Sequence, residues 1–333
     1  MTNVSVVVPV YSGEDYLQEL TTRLEIVRED WTERFETVRL LEVIFVDDGS
    51  IDGSSEVLAV LAASHEWVQV VTLSKNFGQH QATSAGILHS SGDWVATLDE
   101  DLQHRPEDIE SMLLAGTTVN ADVIYGESLG PIHGSWRDSM SRFYKWILAT
   151  ITGNPVIMQF SSFRVCRGPV ARAAASVSGH ETYLDVALTW FTDRFVTQRL
   201  AMVDSRYRVS GTSGYSFFKL LGHARRLLIS SHTRIGRLGV AIGVAAVLFA
   251  LIMTIRVMVG RLGGFEEIYV PGYASLMVAI LVFGGILALL LVGVTEYLLN
   301  IALHTQGKPT YFAVDRTGDE RLAKDLQAGV RIT

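Results

Sequence analysis

The sequence has little cysteine and no excess of positive charge, and each shortage excludes a class of protein. Its 333 residues include one cysteine, Cys166, so an internal disulfide and a cysteine-based zinc site are excluded and a reducing compartment fits. The net charge of −7 argues against a nucleic-acid partner, because binding to phosphates along a nucleic acid requires a basic surface. We therefore expect a different class of ligand.

Three further sequence signals are absent. No GxGxxG follows the first predicted strand and no GxxxxGK[ST] occurs anywhere, so a dinucleotide-binding domain and a P-loop lose their main support. The N-terminus, MTNVSVVVPVYSG, has no basic region followed by a long apolar stretch. We therefore expect no cleavable signal peptide, and an N-terminal domain that stays in the cytoplasm.

Apolar residues are abundant, at 48% of the chain. The excess lies in the last third, where residues 236–259 and 273–301 are each long and apolar enough to cross a bilayer. Arginine and lysine residues precede the first segment and follow the second, which places both flanks inside and the link at 260–272 outside. The sequence predicts a two-helix transmembrane hairpin, with two buried core helices as the alternative.

The first part of the chain alternates β-rich runs with helical stretches. The runs are continuous in Val, Ile and Leu, which is typical of strands covered on both faces. The sequence therefore predicts an α/β domain with a parallel, doubly wound sheet. Its predicted strands are residues 5–10, 40–46, 68–73, 94–98 and 122–126.

Two other segments, 135–151 and 215–229, place apolar side chains at helical spacing among arginines and lysines. Such helices can lie in the membrane interface, although an ordinary core-facing helix explains 135–151 equally well. The predicted organisation is a cytoplasmic α/β domain (1–214), a juxtamembrane amphipathic helix (215–235), two transmembrane helices (236–301) and a cytoplasmic tail (302–333).

Polar segments, three of which contain glycine, follow the first four predicted strands: PVYSGED, DDGSIDGS, SKNFGQH and DEDLQH. In open parallel sheets, ligands bind beyond the carboxyl ends of the strands, so these segments are expected to meet at one edge. Asp47 and Asp48 can accept hydrogen bonds from ribose hydroxyls or a base edge. Lys75 and Asn76 offer a cation and an amide to a diphosphate.

The acidic segment after the fourth strand is a candidate metal site. If the segment is extended, Asp99, Asp101 and Gln103 point to one side and Glu100 to the other. Clustered carboxylates repel one another unless a cation joins them, and Mg²⁺ takes one or two carboxylates together with phosphates and waters. The alternatives are a solvated acidic turn or a cap for the helix that begins near Pro106.

Four segments, in this order and spacing, resemble the family 2 glycosyltransferases of the GT-A fold: VVVPVYSGEDYL, VIFVDDGSIDGS, LSKNFGQHQATSAGI and TLDEDLQHRPEDI. More narrowly they resemble the polyprenyl-phosphate glycosyltransferases, which include dolichyl-phosphate mannose synthase and bacterial undecaprenyl-phosphate transferases for glucose or aminoarabinose. The resemblance runs from about residue 5 to the second predicted span. It implies inverting transfer of a sugar from a nucleoside diphosphate to a polyprenyl phosphate at the cytoplasmic face of the plasma membrane, by copies that can associate through their membrane segments.

The resemblance also implies roles for individual residues. The Asp-x-Asp motif with its following glutamine holds Mg²⁺ or Mn²⁺ in that family, which implies Asp99, Asp101 and Gln103. Relatives also place a basic loop over the diphosphate, which implies Arg206 and Arg208 in this chain. The segments that line the base and ribose are matched by Pro9, Tyr11, Glu14, Asp47 and Asp48.

The chain departs from the family pattern at two places. Relatives carry an acidic residue, in some cases assigned as a catalytic base, where residues 158–164 read MQFSSFR, and they often have an acceptor-binding arginine where Glu127 stands. We expect that no side-chain base is used, because a lipid phosphate is already an anion and needs positioning by cations. The remaining candidates for the contact with the acceptor phosphate are Arg137, Arg142 and Arg164.

Two other functions stay open from the sequence. A processive polysaccharide synthase shares the fold, but such enzymes resemble one another in a QxxRW segment that is missing here. A non-catalytic, membrane-tethered binder of sugar nucleotides would explain the two missing family residues.

Overall fold

The computed structural model describes residues 1–128, 156, 159–179, 182–200, 244–245, 247–249, 251–253, 255–256, 259, 273–305 and 319–329. These residues fall into two compact units. The first unit contains the described residues up to 200 together with 319–329, and the second contains those between 244 and 305.

A seven-stranded sheet forms the centre of the first unit, in the order β3-β2-β1-β4-β6-β5-β7. All neighbouring pairs are parallel except those of β6, which runs against both β4 and β5. The mostly parallel sheet expected from the sequence is therefore confirmed. The strands are β1 (Thr2–Val10), β2 (Val38–Asp47), β3 (Val68–Thr72), β4 (Trp94–Thr97), β5 (Val123–Ser128), β6 (Arg164–Arg167) and β7 (Phe195–Leu200).

Helices cover both faces of this sheet. Those described in the first unit are α1 (Glu14–Arg34), α2 (Ser54–Ser64), α3 (Gln79–His89), α4 (Asp108–Thr118), α5 (Gly168–Val177), α6 (Leu184–Phe191) and, near the end of the chain, α8 (Asp319–Gly329). Side chains of β1 alternate between the two covered faces, as the pleat of a strand requires. Val6 and Val8 pack with α1, α2, α4 and α8, whereas Val7 packs with α3, α5 and α6.

The strand β6 escapes prediction because its sequence, RVCR, carries two arginines where the other central strands are apolar. Both arginines are buried all the same, at 2% and 6% exposure. Arg164 is ion-paired with Asp185, and Arg167 with Asp122 (2.8 Å) and Asp319. Partners distant in sequence therefore make this charged strand possible inside the sheet.

Helix α3 approaches the sheet closely because it carries Gly86. A Cβ atom there would meet Val7 Cγ1 and would lie 2.8 Å from Val46 Cγ2. The close packing brings the first residue of α3, Gln79, to the carboxyl ends of the central strands.

The predicted tail contains a helix that packs on the first unit. Leu322 and Leu326, one turn apart in α8, are buried in the same apolar cluster as α1 and α4. Polar contacts flank them: the Thr37 amide donates to Asp325 Oδ2 (2.7 Å), and Arg34 Nη2 donates to the Gly329 carbonyl (2.8 Å). The last described segment is thus a structural part of the α/β unit.

In the second unit the long helix is α7 (Tyr273–Thr305), which overlaps the second predicted span. Among the described residues, no helix has both the length and the apolar character needed to cross a bilayer. Most of the first predicted span, and both amphipathic segments at 135–151 and 215–229, lie outside the described residues.

We predict that Leu326→Ala lowers the free energy of unfolding of the first unit by about 2–5 kcal/mol, because it leaves a cavity beneath α8. Denaturant titration followed by tryptophan fluorescence measures this change, since Trp31 and Trp94 are buried in the same cluster. Gln327→Ala, at an exposed position of the same helix, is the matched control and is expected to change little. Equal stability of the two variants would contradict the packing of α8.

Candidate functional site

A cavity of about 280 Å³ lies at the carboxyl ends of the central strands. It collects residues from all four polar segments, as the arrangement of parallel strands leads one to expect. Six predicted site residues line it: Pro9, Tyr11, Asp48, Asn76, Asp99 and Asp101. The other lining residues are Val10, Ser12, Gly78, Gln79 and Glu100.

Glu100 organises the loop after β1. Its carboxylate accepts hydrogen bonds from the backbone amides of Tyr11 (2.8 Å) and Ser12 (3.3 Å), which are about 90 residues away in sequence. Glu100 is 8% exposed, and these hydrogen bonds from amides stabilise its buried charge. From the sequence, Glu100 was expected only to point away from Asp99 and Asp101.

Asp48 organises the loop after β3 in the same way. One carboxylate oxygen accepts from the Phe77 amide (2.7 Å) and the other from the Gly78 amide (2.8 Å). Gly49, beside it, has a φ of +67°, and a Cβ there would lie 2.8 Å from the Asn76 amide nitrogen. Glycine is required here by both the backbone conformation and the space.

The Asp47 carboxylate accepts its hydrogen bonds from residues that follow it in the chain. It accepts from the Ser50 amide (2.9 Å), the Ser50 hydroxyl (2.7 Å) and the Ser55 hydroxyl (2.6 Å). Burial raises the pKa of this carboxyl, but the hydrogen bonds from Ser55 and Ser50 outweigh burial and hold the pKa below its ordinary value. Asp47 and Asp48 therefore shape the loops around the cavity, and Asp48 also lines it.

The acidic segment forms a turn instead of the extended conformation assumed from the sequence. Leu102 has a φ of +60°, a left-handed conformation that costs free energy for a branched side chain. Across this turn, Gln103 donates from its amide side chain to Asp101 Oδ2 (3.0 Å). Strain at one leucine thus accompanies the placement of Asp101 at the cavity.

The carboxylate of Asp99 receives donors from two other elements. Gln79 Nε2 donates to Oδ1 (2.5 Å), and Ser162 Oγ donates to Oδ2 (2.8 Å). Neither donor was predicted, although Gln79 lies in the SKNFGQH segment and Ser162 in MQFSSFR, both of which the sequence singled out.

His104 supports Asp99 from beneath. Its Nδ1 accepts a hydrogen bond from the Asp99 amide (3.2 Å), so its proton lies on Nε2 in this arrangement. The ring stacks on Phe163 at 4.9 Å between centroids and is 5% exposed. The scattered histidines of the sequence carried no signal for this contact.

The oxygen donors here suit a divalent cation that shares its ligands with a substrate. Asp99, Asp101 and Gln103 supply carboxylate and amide oxygens, the ligand types that Mg²⁺ takes together with phosphates and waters. In the part of the chain that the structure describes, no three His, Cys, Asp or Glu side chains form a metal cluster. Asp99, Asp101 and Gln103 therefore suit a cation whose other ligands come from the substrate and water, and not a cation bound by protein side chains alone.

The remaining predicted residues lie elsewhere. Arg164 is buried beneath the site, where it donates to Thr97 Oγ1 (3.1 Å) and pairs with Asp185, so an internal partner replaces the predicted substrate contact. Burial disfavours its charge, but the Asp185 carboxylate outweighs burial and raises the pKa of Arg164. Lys75 is exposed, with Nζ 5.2 Å from the Phe77 ring centroid.

Glu14 accepts a hydrogen bond from the Gly53 amide (2.9 Å) and so joins α1 to the loop before α2. Glu127, at one of the two departures from the family pattern, is exposed, and its Oε2 lies 3.8 Å from Arg199 Nε. The four other predicted arginines lie outside the described residues: Arg137, Arg142, Arg206 and Arg208.

Comparison with known proteins places these features in a family. Residues 5–175 match the family model described as "Glycosyl transferase family 2". An uncharacterized glycosyltransferase of Synechocystis is 28% identical over 96% of this chain and 97% of its own length. The undecaprenyl-phosphate 4-deoxy-4-formamido-L-arabinose transferase of Pseudomonas aeruginosa is 30% identical over 93% of this chain and 88% of its own length.

Among solved structures, glucosyl-3-phosphoglycerate synthase from Mycobacterium tuberculosis aligns with a TM-score of 0.48 and 15% identity, over 71% of this chain and 80% of that one. The family model covers just over half of the chain, and the relative from Pseudomonas aeruginosa extends the match to nearly all of it. On these grounds the chain belongs to glycosyl transferase family 2 and is a glycosyltransferase.

Proposed function

We propose that the protein transfers a sugar from a nucleoside-diphosphate sugar to a polyprenyl phosphate, in an inverting and metal-dependent reaction. The observation that carries the proposal is the cavity in which Asp99 and Asp101 meet the loops after β1, β2 and β3. The acceptor is supported by the relatives that are named undecaprenyl-phosphate transferases.

The donor lies in the cavity, with its nucleoside against Pro9 and Tyr11 and its diphosphate towards Asn76 and Asp99. Asp99, Asp101 and Gln103 would hold Mg²⁺ or Mn²⁺, which would offset the negative charge that develops on the leaving diphosphate. Asp48 and Glu100 contribute by fixing the loops that bound this space.

The acceptor phosphate attacks the anomeric carbon from the side opposite the diphosphate. A bond forms between its oxygen and that carbon while the bond to the diphosphate breaks, which inverts the anomeric configuration. A phosphate oxygen is already anionic, so no proton need be removed. This is consistent with the absence of an acid from residues 158–164. Because Arg164 is ion-paired inside the fold, Arg137 and Arg142 remain the proposed contacts for the acceptor.

The proposed site of action is the cytoplasmic face of the plasma membrane, with a hairpin between residues 236 and 301. Helix α8 and the described residues up to 200 belong to one compact unit, so an even number of crossings must separate them in any membrane-anchored form. Helix α7 exposes large apolar side chains, including Leu276, Phe283 and Leu290, which lipid would cover.

We expect Asp101→Ala to reduce transfer by at least about 10²-fold, the loss typical when one group that stabilises developing charge is removed. The measurement is steady-state transfer in Mg²⁺ or Mn²⁺, with the circular dichroism spectrum as the check on folding. Asp108→Ala, an aspartate at the start of α4 that does not line the cavity, is the control. Full metal-dependent activity in Asp101→Ala would contradict the proposed site.

The reaction itself is tested by incubating membranes that contain the protein with undecaprenyl phosphate and a panel of labelled UDP-, GDP- and dTDP-sugars. One donor is expected to give a lipid product carrying a single sugar, and a chelator is expected to abolish its formation until Mg²⁺ or Mn²⁺ is restored. A polymeric product would indicate a processive synthase, and donor binding without turnover would indicate a non-catalytic binder.

The hairpin is tested by cysteine labelling in intact cells with a membrane-impermeant maleimide. Glu266→Cys, in the predicted outer link, should be labelled, whereas Gln327→Cys, exposed on α8, should be labelled only after permeabilisation. The native Cys166 should not react, because it is 2% exposed and burial raises its pKa to about 12. Protection of Glu266→Cys before permeabilisation would refute the hairpin.

A further inference from the structure

We propose that Ser162 and Gln79 are positioning residues that hold the Asp99 carboxylate in the orientation needed for donor and metal, and that position 162 acts through Asp99 instead of serving as a base. The inference rests on the proposed function, because it assigns Asp99 to the donor site.

The two donors reach Asp99 from opposite sides of the carboxylate. Gln79, the first residue of α3, donates to Oδ1 at 2.5 Å, and Ser162, in the loop before β6, donates to Oδ2 at 2.8 Å. The terminal torsion of an aspartate has only a broad preference of its own. One donor on each oxygen fixes the plane of the carboxylate, and each oxygen keeps a lone pair for a ligand.

Ser162 is itself held in place on both sides. Its carbonyl accepts a hydrogen bond from Thr97 Oγ1 (2.6 Å), at the last residue of β4. The next residue, Phe163, is fully buried and stacks on His104, whose Nδ1 accepts from the Asp99 amide. The hydroxyl is therefore presented to Asp99 by a closed ring of contacts that begins and ends at Asp99.

The direction of the hydrogen bond favours positioning of Asp99 over base catalysis at this position. The Ser162 hydroxyl donates its proton to a carboxylate that is acceptor-only when ionised. An acid at position 162 would instead place a second negative charge beside Asp99 and would disfavour the ionised pair. Position 162 in this chain thus suits a neutral hydrogen-bond donor. Family members, in contrast, usually carry an acidic residue in this segment.

The prediction is that Ser162→Ala weakens Mn²⁺-dependent binding of the nucleoside diphosphate about 10-fold, as loss of an orienting partner of a metal ligand typically does. Calorimetry with Mn²⁺ and UDP, GDP or dTDP in turn measures binding without turnover, and steady-state kinetics with the donor follows KM and kcat. We expect KM for the donor to rise more than kcat falls. Ser162→Thr keeps the hydroxyl and should restore binding.

The matched control is Ser161→Ala, which removes the neighbouring hydroxyl that accepts from the Phe163 amide (3.3 Å) and does not contact Asp99 in the structure. It should bind as the unaltered protein does. Because Gln79 and Ser162 act on one carboxylate, Gln79→Ala and Ser162→Ala should be non-additive in the double variant. Additive losses would indicate two unrelated effects and would count against the inference.

Ser162→Asp separates positioning from base catalysis. We expect it to bind and turn over less well than Ser162→Ala; a rise in kcat would show that position 162 serves as a base and would overturn the inference. Identical binding by Ser162→Ala and Ser161→Ala, beside an inactive Asp101→Ala, would overturn this inference alone. Retained metal-dependent transfer in Asp101→Ala would contradict the proposed metal site instead. Absence of a lipid-linked product from the unaltered protein with every donor would overturn the proposed function.

Discussion

The site depends on one repeated interaction, a buried carboxylate that accepts backbone amides from a loop of another strand. Glu100 holds the loop after β1, and Asp48 holds the loop after β3. Each bond to a charged acceptor is stronger than a neutral one, and leaving such a group unpaired would be costly. These carboxylates therefore join the strand ends in two pairs, β4 with β1 and β2 with β3, around the cavity that Asp99 and Asp101 line.

Buried ion pairs compensate the charged side chains in the other half of the sheet. The antiparallel strand β6 carries Arg164 and Arg167 into the interior, where Asp185, Asp122 and Asp319 receive them. Removing one partner of such a pair leaves an uncompensated charge in a poorly solvated place, which is strongly destabilising. Because Asp319 comes from α8, the last described helix is tied to the central sheet by charge as well as by its leucines.

Features that depend on local interactions were predicted correctly from the sequence, whereas features that depend on contacts between distant residues were missed. Apolar runs and the segments after them located β1 to β5 and placed Asp99 and Asp101 at the sheet edge, because strand burial and strand-end geometry are local properties. Two strands were not predicted: β7, and β6, whose arginines need distant partners. The acidic segment was expected to be extended, whereas Leu102 adopts a left-handed conformation that no local preference of leucine predicts.

By itself, then, the sequence determined the order of the motifs, the two-sided burial of the sheet and the edge at which the polar segments gather. Only the tertiary structure decided which side chains form hydrogen bonds with each other. Asp48 accepts from a loop amide 29 residues away, and Ser162 donates to Asp99, 63 residues away. The physical reason is that a hydrogen bond depends on where two loops meet in space. Their meeting is set by the packing of the whole sheet, which no single segment encodes.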